Sequence, residues 1–195
     1  MPIAGVVQPE MRLIAENLRL KKLEGEDVAF AREWYLDPDI LLPMDGAVNP
    51  YSLENIKGMY QYLRKHGELY IIEYLENGEW NPIGDVTFWR EDMPIVIGRK
   101  DLHGRGIGKR VVHSLIERAR EIGYSEIYVQ EIYDFNLASQ KMFEGCGFRR
   151  MEKTEKGWRY VCRLNDIKDK SNASWMTSFP NGVIFLCKHS SPALH

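Results

Sequence analysis

Residues 103–110 read "HGRGIGKR", with glycine at every second position (Gly104, Gly106, Gly108) and Arg105, Lys109 and Arg110 among them. The apolar run "PIVIG" precedes them and the stretch "IGKRVVHSLIERAREIG" follows. A strand that ends in such a turn and opens a helix points several backbone N–H groups the same way. Added to the positive end of the helix dipole, they form an anion cradle. Glycine lets the backbone adopt positive φ and approach a phosphate closely, and the flanking cations supply neutralising charge at the rim. In the helix expected from Ile107 to Ile122, the residues Ile107, Val111, Val112, Leu115, Ile116, Ala119 and Ile122 share one face, and Gly123 stops it. With "SEIYVQEIY" as the next strand, residues 94–133 form a strand–helix–strand unit, expected as a right-handed crossover between parallel strands.

The remaining elements complete the sheet. "NLRLKKLEG" alternates as an edge-like strand, and "EDVAFAREWYLD" reads as a helix opened by Glu26 and Asp27. "PDILLPMDGAVNPY" reads as a loop from its prolines and glycine. Ser52 starts a second helix, "SLENIKGMYQYLRKHG". "ELYIIEYL", "NPIGDVTFW" and "MPIVIGRK" are strands, the first two joined by a turn at "ENGEWN". "NLASQKMFEG" reads as a short helix and "FRRMEKTEKGWRYVCRL" as a terminal hairpin. The expected fold is α+β: a mixed, mostly antiparallel sheet with helices on both faces and one parallel strand pair. Residues 1–17 are expected as a tail, 18–164 as one domain, and 165–195 as an extension of unassigned role with one strand candidate at "GVIFLCK". The 26 basic and 28 acidic residues nearly cancel, which gives nucleic acid no basic field to meet. Three widely spaced cysteines fit neither a disulfide framework nor a zinc site, and no metal is expected. No signal peptide and no membrane-length apolar run are apparent, so the expectation is a cytoplasmic protein with no membrane partner.

Spacing rules out two phosphate loops. Gly108-Lys109 is followed by Arg110 rather than Ser or Thr, and the glycines run G-x-G-x-G rather than G-x-G-x-x-G. The sequence instead resembles the GNAT superfamily of acetyl-CoA-dependent N-acetyltransferases. "HGRGIG" is similar to that family's Q/R-x-x-G-x-G/A motif, with His103 in the Q/R place. "NLASQKMFEGCGF" resembles its N-x-x-A-x-x-L-Y-x-x-x-G-F motif. Asn136, Gly147 and Phe148 match, while Ser139, Met142 and Phe143 replace alanine, leucine and tyrosine. The resemblance spans about residues 18–164 and implies a splayed parallel strand pair, the strand before the loop parting from its neighbour, with acetyl-CoA as acyl donor. Its diphosphate would rest on His103, Gly104, Arg105, Gly106, Ile107, Gly108 and Lys109, and its pantetheine arm along Val96, Ile97 and Gly98. Asn136 and Phe143 complete the implied cofactor set, although Asn136 is equally a helix N-cap.

Amide formation requires a base to take the amine's proton, N–H donors for the developing oxyanion, and a proton or other stabilisation for the leaving thiolate. Glu131, Glu91 and Asp92 are the candidate bases, with Asp85 a further one. Phe143 has no proton to give, so Tyr133, Tyr160 or water takes the acid's place, or the thiolate leaves unassisted. The acceptor site is expected in "WYLDPDILLPMDGAVNPY", with Trp34, Tyr35 and Asp45 as contacts suited to a cationic amine. Small-molecule amines and protein N-termini both fit, and a homodimer is compatible. The missing tyrosine keeps a second reading open, a non-catalytic module that binds CoA.

Overall fold

A computed structural model describes residues 3–25, 27–46 and 48–167, with the side chain of Asp45 outside the description. The strand candidate at 182–188 and nearly all of the expected extension also lie outside the described residues. Strands β1 (Met11–Ala15), β2 (Leu18–Lys22), β3 (Glu68–Glu76), β4 (Glu79–Phe88) and β5 (Ile95–Ile97) form an antiparallel sheet in that spatial order. A second antiparallel sheet holds β6 (Glu126–Tyr133), β8 (Gly157–Arg163) and β7 (Arg149–Lys153), with β8 central. Helices α1 (Pro38–Asp45), α2 (Leu53–His66), α3 (Ile107–Ile122) and α4 (Leu137–Glu144) surround them. The α+β class with antiparallel ladders is as expected. The parallel pair goes beyond splaying: β5 and β6 share no ladder and sit in separate sheets.

Strand alternation distributes the core over both faces of the larger sheet. Tyr70, Ile72, Val86 and Phe88 face one cluster with Val111, Val112, Leu115, Ile116 and Ala119 of α3. Leu69 and Val96 face the other, with Ile56 and Tyr60 of α2 and Ile40 and Leu41 of α1. The α3 stripe is the one the sequence predicts, with one addition. Arg118 is buried on it and pairs with Glu68 of β3 through a 2.6 Å contact. A charge on an apolar stripe is tolerated when its partner is buried with it, and Tyr70 also donates to Glu68 at 2.9 Å.

Three expectations are corrected. Residues 11–15 are not tail: they pair with β2 from Met11↔Lys21 to Ala15↔Leu18. The helix expected over 26–37 is two short 3-10 turns, Ala29–Ala31 and Trp34–Leu36. Burial of Val28, Ala31, Trp34 and Tyr35 fixes that segment by anchoring rather than by helical periodicity. The loop expected over 38–51 begins with α1, for which the sequence carries the signals: Asp37 accepts from Asp39 N as N-cap, Pro38 occupies the first turn, and left-handed Gly46 closes the end. Among the described residues no helix is long and apolar enough to cross a membrane, and no group of three or more His, Cys, Asp or Glu could hold a metal.

Candidate active site

The glycine loop folds as its spacing requires. Gly104 and Gly106 have φ of 76° and 75°, and a Cβ built on either would meet nothing within 4 Å. Gly106 is the N-cap of α3 and offers no side-chain cap. His103 N donates to Lys100 O, and Arg110 N opens the helical pattern by donating to Gly106 O. Among the described residues, none of the amides from Gly104 to Lys109 has a hydrogen-bond acceptor. A run of unpaired N–H groups on an exposed loop at a helix N-terminus, with open space above its glycines, fits a diphosphate. Arg105, Lys109 and Arg110 have no ion-pair partner among the described residues. Gly108 serves packing, since a Cβ there would lie 2.4 Å from Met142 Sδ of α4.

One edge of β5 pairs with β4, as Gly84↔Ile97, Asp85↔Val96 and Val86↔Ile95, and the other has no strand partner. Val96 is buried, and Ile97 and Gly98 are half-buried. His103 leans back over this strand, its Nε2–H donating to Ile97 O at 2.7 Å. The carbonyl only accepts, so this contact fixes the proton on Nε2.

Helix α1 bridges the two lips of the split. At its start, Lys100 Nζ, from the turn after β5, reaches Asp37 at 2.8 Å and Asp39 at 3.0 Å. The hydrogen bond to Lys100 holds the Asp37 carboxyl below its ordinary range. Just before it, the Trp34 indole lies on Gly98, where a Cβ would sit 2.1 Å from Cγ. Beyond its middle, Asn136 Nδ2 donates to Pro43 O at 2.9 Å, and Gly46 packs on Tyr133 of β6. The Asn136 Oδ1 meanwhile accepts from Ser139 N at 3.0 Å, as an N-cap does. The sequence signals α1 but not these long-range latches.

The candidate bases separate by environment. Glu131 lies half-buried where β6 shifts register against β8, and it has no partner among the described residues. Glu91 is tied to Arg159 at 2.9 Å. Asp92 Oδ1 accepts two main-chain N–H groups, Met93 at 2.9 Å and Gln130 at 3.0 Å, while burial raises its carboxyl. Asp85 is fully enclosed, its Oδ2 accepting from Tyr35 and Tyr60 at 2.8 Å each, and burial pushes it up to about 6. Tyr35 therefore belongs to the interior, which corrects its expected place among the acceptor contacts; at 1% exposure its hydroxyl is committed to Asp85.

On the acid side, Phe143 is buried edge-on to Phe148 with ring centroids 5.1 Å apart. Tyr160 is enclosed and bonded to Arg150 at 3.1 Å. Tyr133 remains half-buried at the end of β6, beside Phe135 at 5.4 Å. Burial pushes the Cys146 thiol up to about 11, which leaves it inert at neutral pH.

Known proteins resemble this chain in sequence and in fold. A curated uncharacterized protein of Methanocaldococcus jannaschii, MJ1062, is 27% identical over 165 residues, covering 76% of this chain. The match spans only 34% of that protein, so this chain corresponds to about a third of its length. The structure of the aminoglycoside acetyltransferase AAC(6')-Ib with paromomycin and acetyl-CoA superposes with a TM-score of 0.63 at 18% identity, covering 81% of this chain and 100% of that one. Spermidine N-acetyltransferase from Vibrio cholerae, crystallised with CoA and spermine, superposes with a TM-score of 0.61 at 17% identity, covering 77% and 98%. At these identities the superpositions speak for the fold. The family model described as the acetyltransferase (GNAT) family matches residues 28–148, more than half of the sequence, and the chain belongs to that family.

Proposed function

We propose that residues 18–164, together with β1, form an N-acetyltransferase domain that moves an acetyl group from acetyl-CoA to a primary amine of a small molecule or a protein N-terminus. The observation that carries this reading is the row of unpaired amides from Gly104 to Lys109, on an exposed loop and flanked by Arg105, Lys109 and Arg110. Acetyl-CoA supplies the activated thioester. The chain's part is to hold its diphosphate on those amides with Arg105 and Lys109 alongside, and to receive its arm along the unpaired edge of β5.

Glu131, the one candidate base with no partner among the described residues, takes the amine's proton directly or through water. Tyr133, two residues on along the same strand, would protonate the departing thiolate. Trp34, covering Gly98, forms an apolar wall where acceptor and donor would meet. The bound spermine and paromomycin of the structural neighbours support an amine as acceptor.

The test is release of CoA from acetyl-CoA over a panel of polyamines, aminoglycosides and peptides with free N-termini. Turnover on any of these supports the assignment. Saturable acetyl-CoA binding with silence across the whole panel would favour a CoA-binding module without catalysis, the reading that the buried Phe143 motivates.

A further inference from the structure

We propose that Asp92 parts β5 from β6: its carboxylate replaces the main-chain acceptor that would continue the pairing, so it is a positioning residue rather than the base. This rests on the reading that the cofactor arm occupies the split. Parallel strands bond in even steps along the ladder. Such a step begins where the β4–β5 connection meets β6, with Tyr128 N donating to Arg90 O at 2.9 Å. Two residues on along both segments, Gln130 N should find Asp92 O, but that carbonyl accepts from Trp89 N at 3.2 Å in a tight turn. The Asp92 side chain takes its place, with Oδ1 accepting from Gln130 N at 3.0 Å and from Met93 N at 2.9 Å.

Beyond this point no strand pairing joins the two segments among the described residues. Pro94 has no N–H, and its carbonyl accepts from Thr87 N of β4 at 3.0 Å. On the other side, β6 shifts its register against β8 between Val129 and Ile132, at Gln130 and Glu131. One carboxylate oxygen thus sits at the last link between the sheets, and the unpaired edge of β5 begins immediately after it. An oxygen in this place needs to accept two N–H bonds and does not need to take up a proton.

Asp92→Asn and Asp92→Ala separate the two roles, because asparagine keeps the accepting oxygen and cannot act as a base. The measurements are CoA affinity by calorimetry, steady-state kinetics across pH, and amide exchange at Gln130. The expected result is that Asp92→Asn keeps the wild-type CoA affinity and pH profile within about threefold, and the Gln130 amide stays protected. Asp92→Ala should weaken CoA binding by about tenfold or more, because Gln130 N and Met93 N lose the acceptor that fixes the edge of β5 against β6, and speed Gln130 exchange while leaving the acceptor KM unchanged. Intact CoA affinity with turnover lost in Asp92→Asn would overturn the proposal and make Asp92 the base. Unchanged affinity and exchange in Asp92→Ala would also overturn it. If Asp92→Ala does not fold, the Asp92→Asn result decides alone. Failure of the wild-type protein to bind CoA would count against the proposed function, and Gln130 exchange would still decide whether Asp92 holds the sheets at this point.

Discussion

A side chain at Gly106 would project into open space, so the constraints there are the left-handed backbone and the ligand the loop would receive. Gly106→Ala adds only the strain of positive φ, on the order of 1–2 kcal/mol, and is expected to weaken CoA binding modestly. Gly106→Asp adds a carboxylate facing a diphosphate and should abolish binding at any concentration accessible to calorimetry; wild-type affinity would remove the loop from the site. Asp85 makes a prediction about stability. Its folded-state value, about 6, lies above the ordinary one, so between about pH 4 and 6 the folded protein keeps a proton that the unfolded chain has released. Stability conferred at low pH is therefore lost as pH rises through that window, by on the order of 3 kcal/mol, and levels off above it. Asp85→Asn retains an acceptor for Tyr35 and Tyr60 without the charge, and denaturant titrations between pH 4 and 7 should show that slope flattened. An unchanged slope would place the titration elsewhere.

Helix α1 and helix α3 show what sequence can and cannot disclose about an element. In α3 the apolar stripe, the glycine opening and Gly123 at the end coincide with the structure because packing on a sheet face and termini of special φ are local properties. Helix α1 was obscured by its prolines, although Asp37 and Pro38 form a good start. The 3-10 turns before it leave no periodic signal because Trp34 and Tyr35 are held by distant partners, Gly98 and Asp85, that no window of sequence contains. The candidate site divides in the same way. The cradle was legible because glycine spacing encodes backbone geometry. The contrast among Glu91, Asp92 and Glu131 was not, since it depends on Arg159 and Gln130 arriving from other strands. The latches of α1 predict that Lys100→Met, which frees Asp37 and Asp39, changes the melting temperature little because exposed ion pairs contribute little. It should nonetheless accelerate amide exchange in α1 and raise the acceptor KM several-fold, with CoA affinity held. Unchanged exchange in α1 would show that Trp34 and Asn136 hold the helix without it.

The two sheets are joined by α3, by the shared core beneath it, and by the short link from Arg90 and Asp92 to β6. A ligand that touches β5, the glycine loop and β6 would brace that junction, so CoA should stabilise the whole domain. At a hundredfold excess over its Kd the gain is about 2.7 kcal/mol, which for a domain of this size raises Tm by roughly 5–10 °C. The loop itself can be observed more directly. Titrating 15N-labelled protein with CoA reports on each amide separately. The arrangement described predicts saturable shifts at Gly104, Gly106, Gly108 and Lys109 that also appear, more weakly, with inorganic diphosphate. Saturable CoA binding that leaves those four amides unmoved would contradict it.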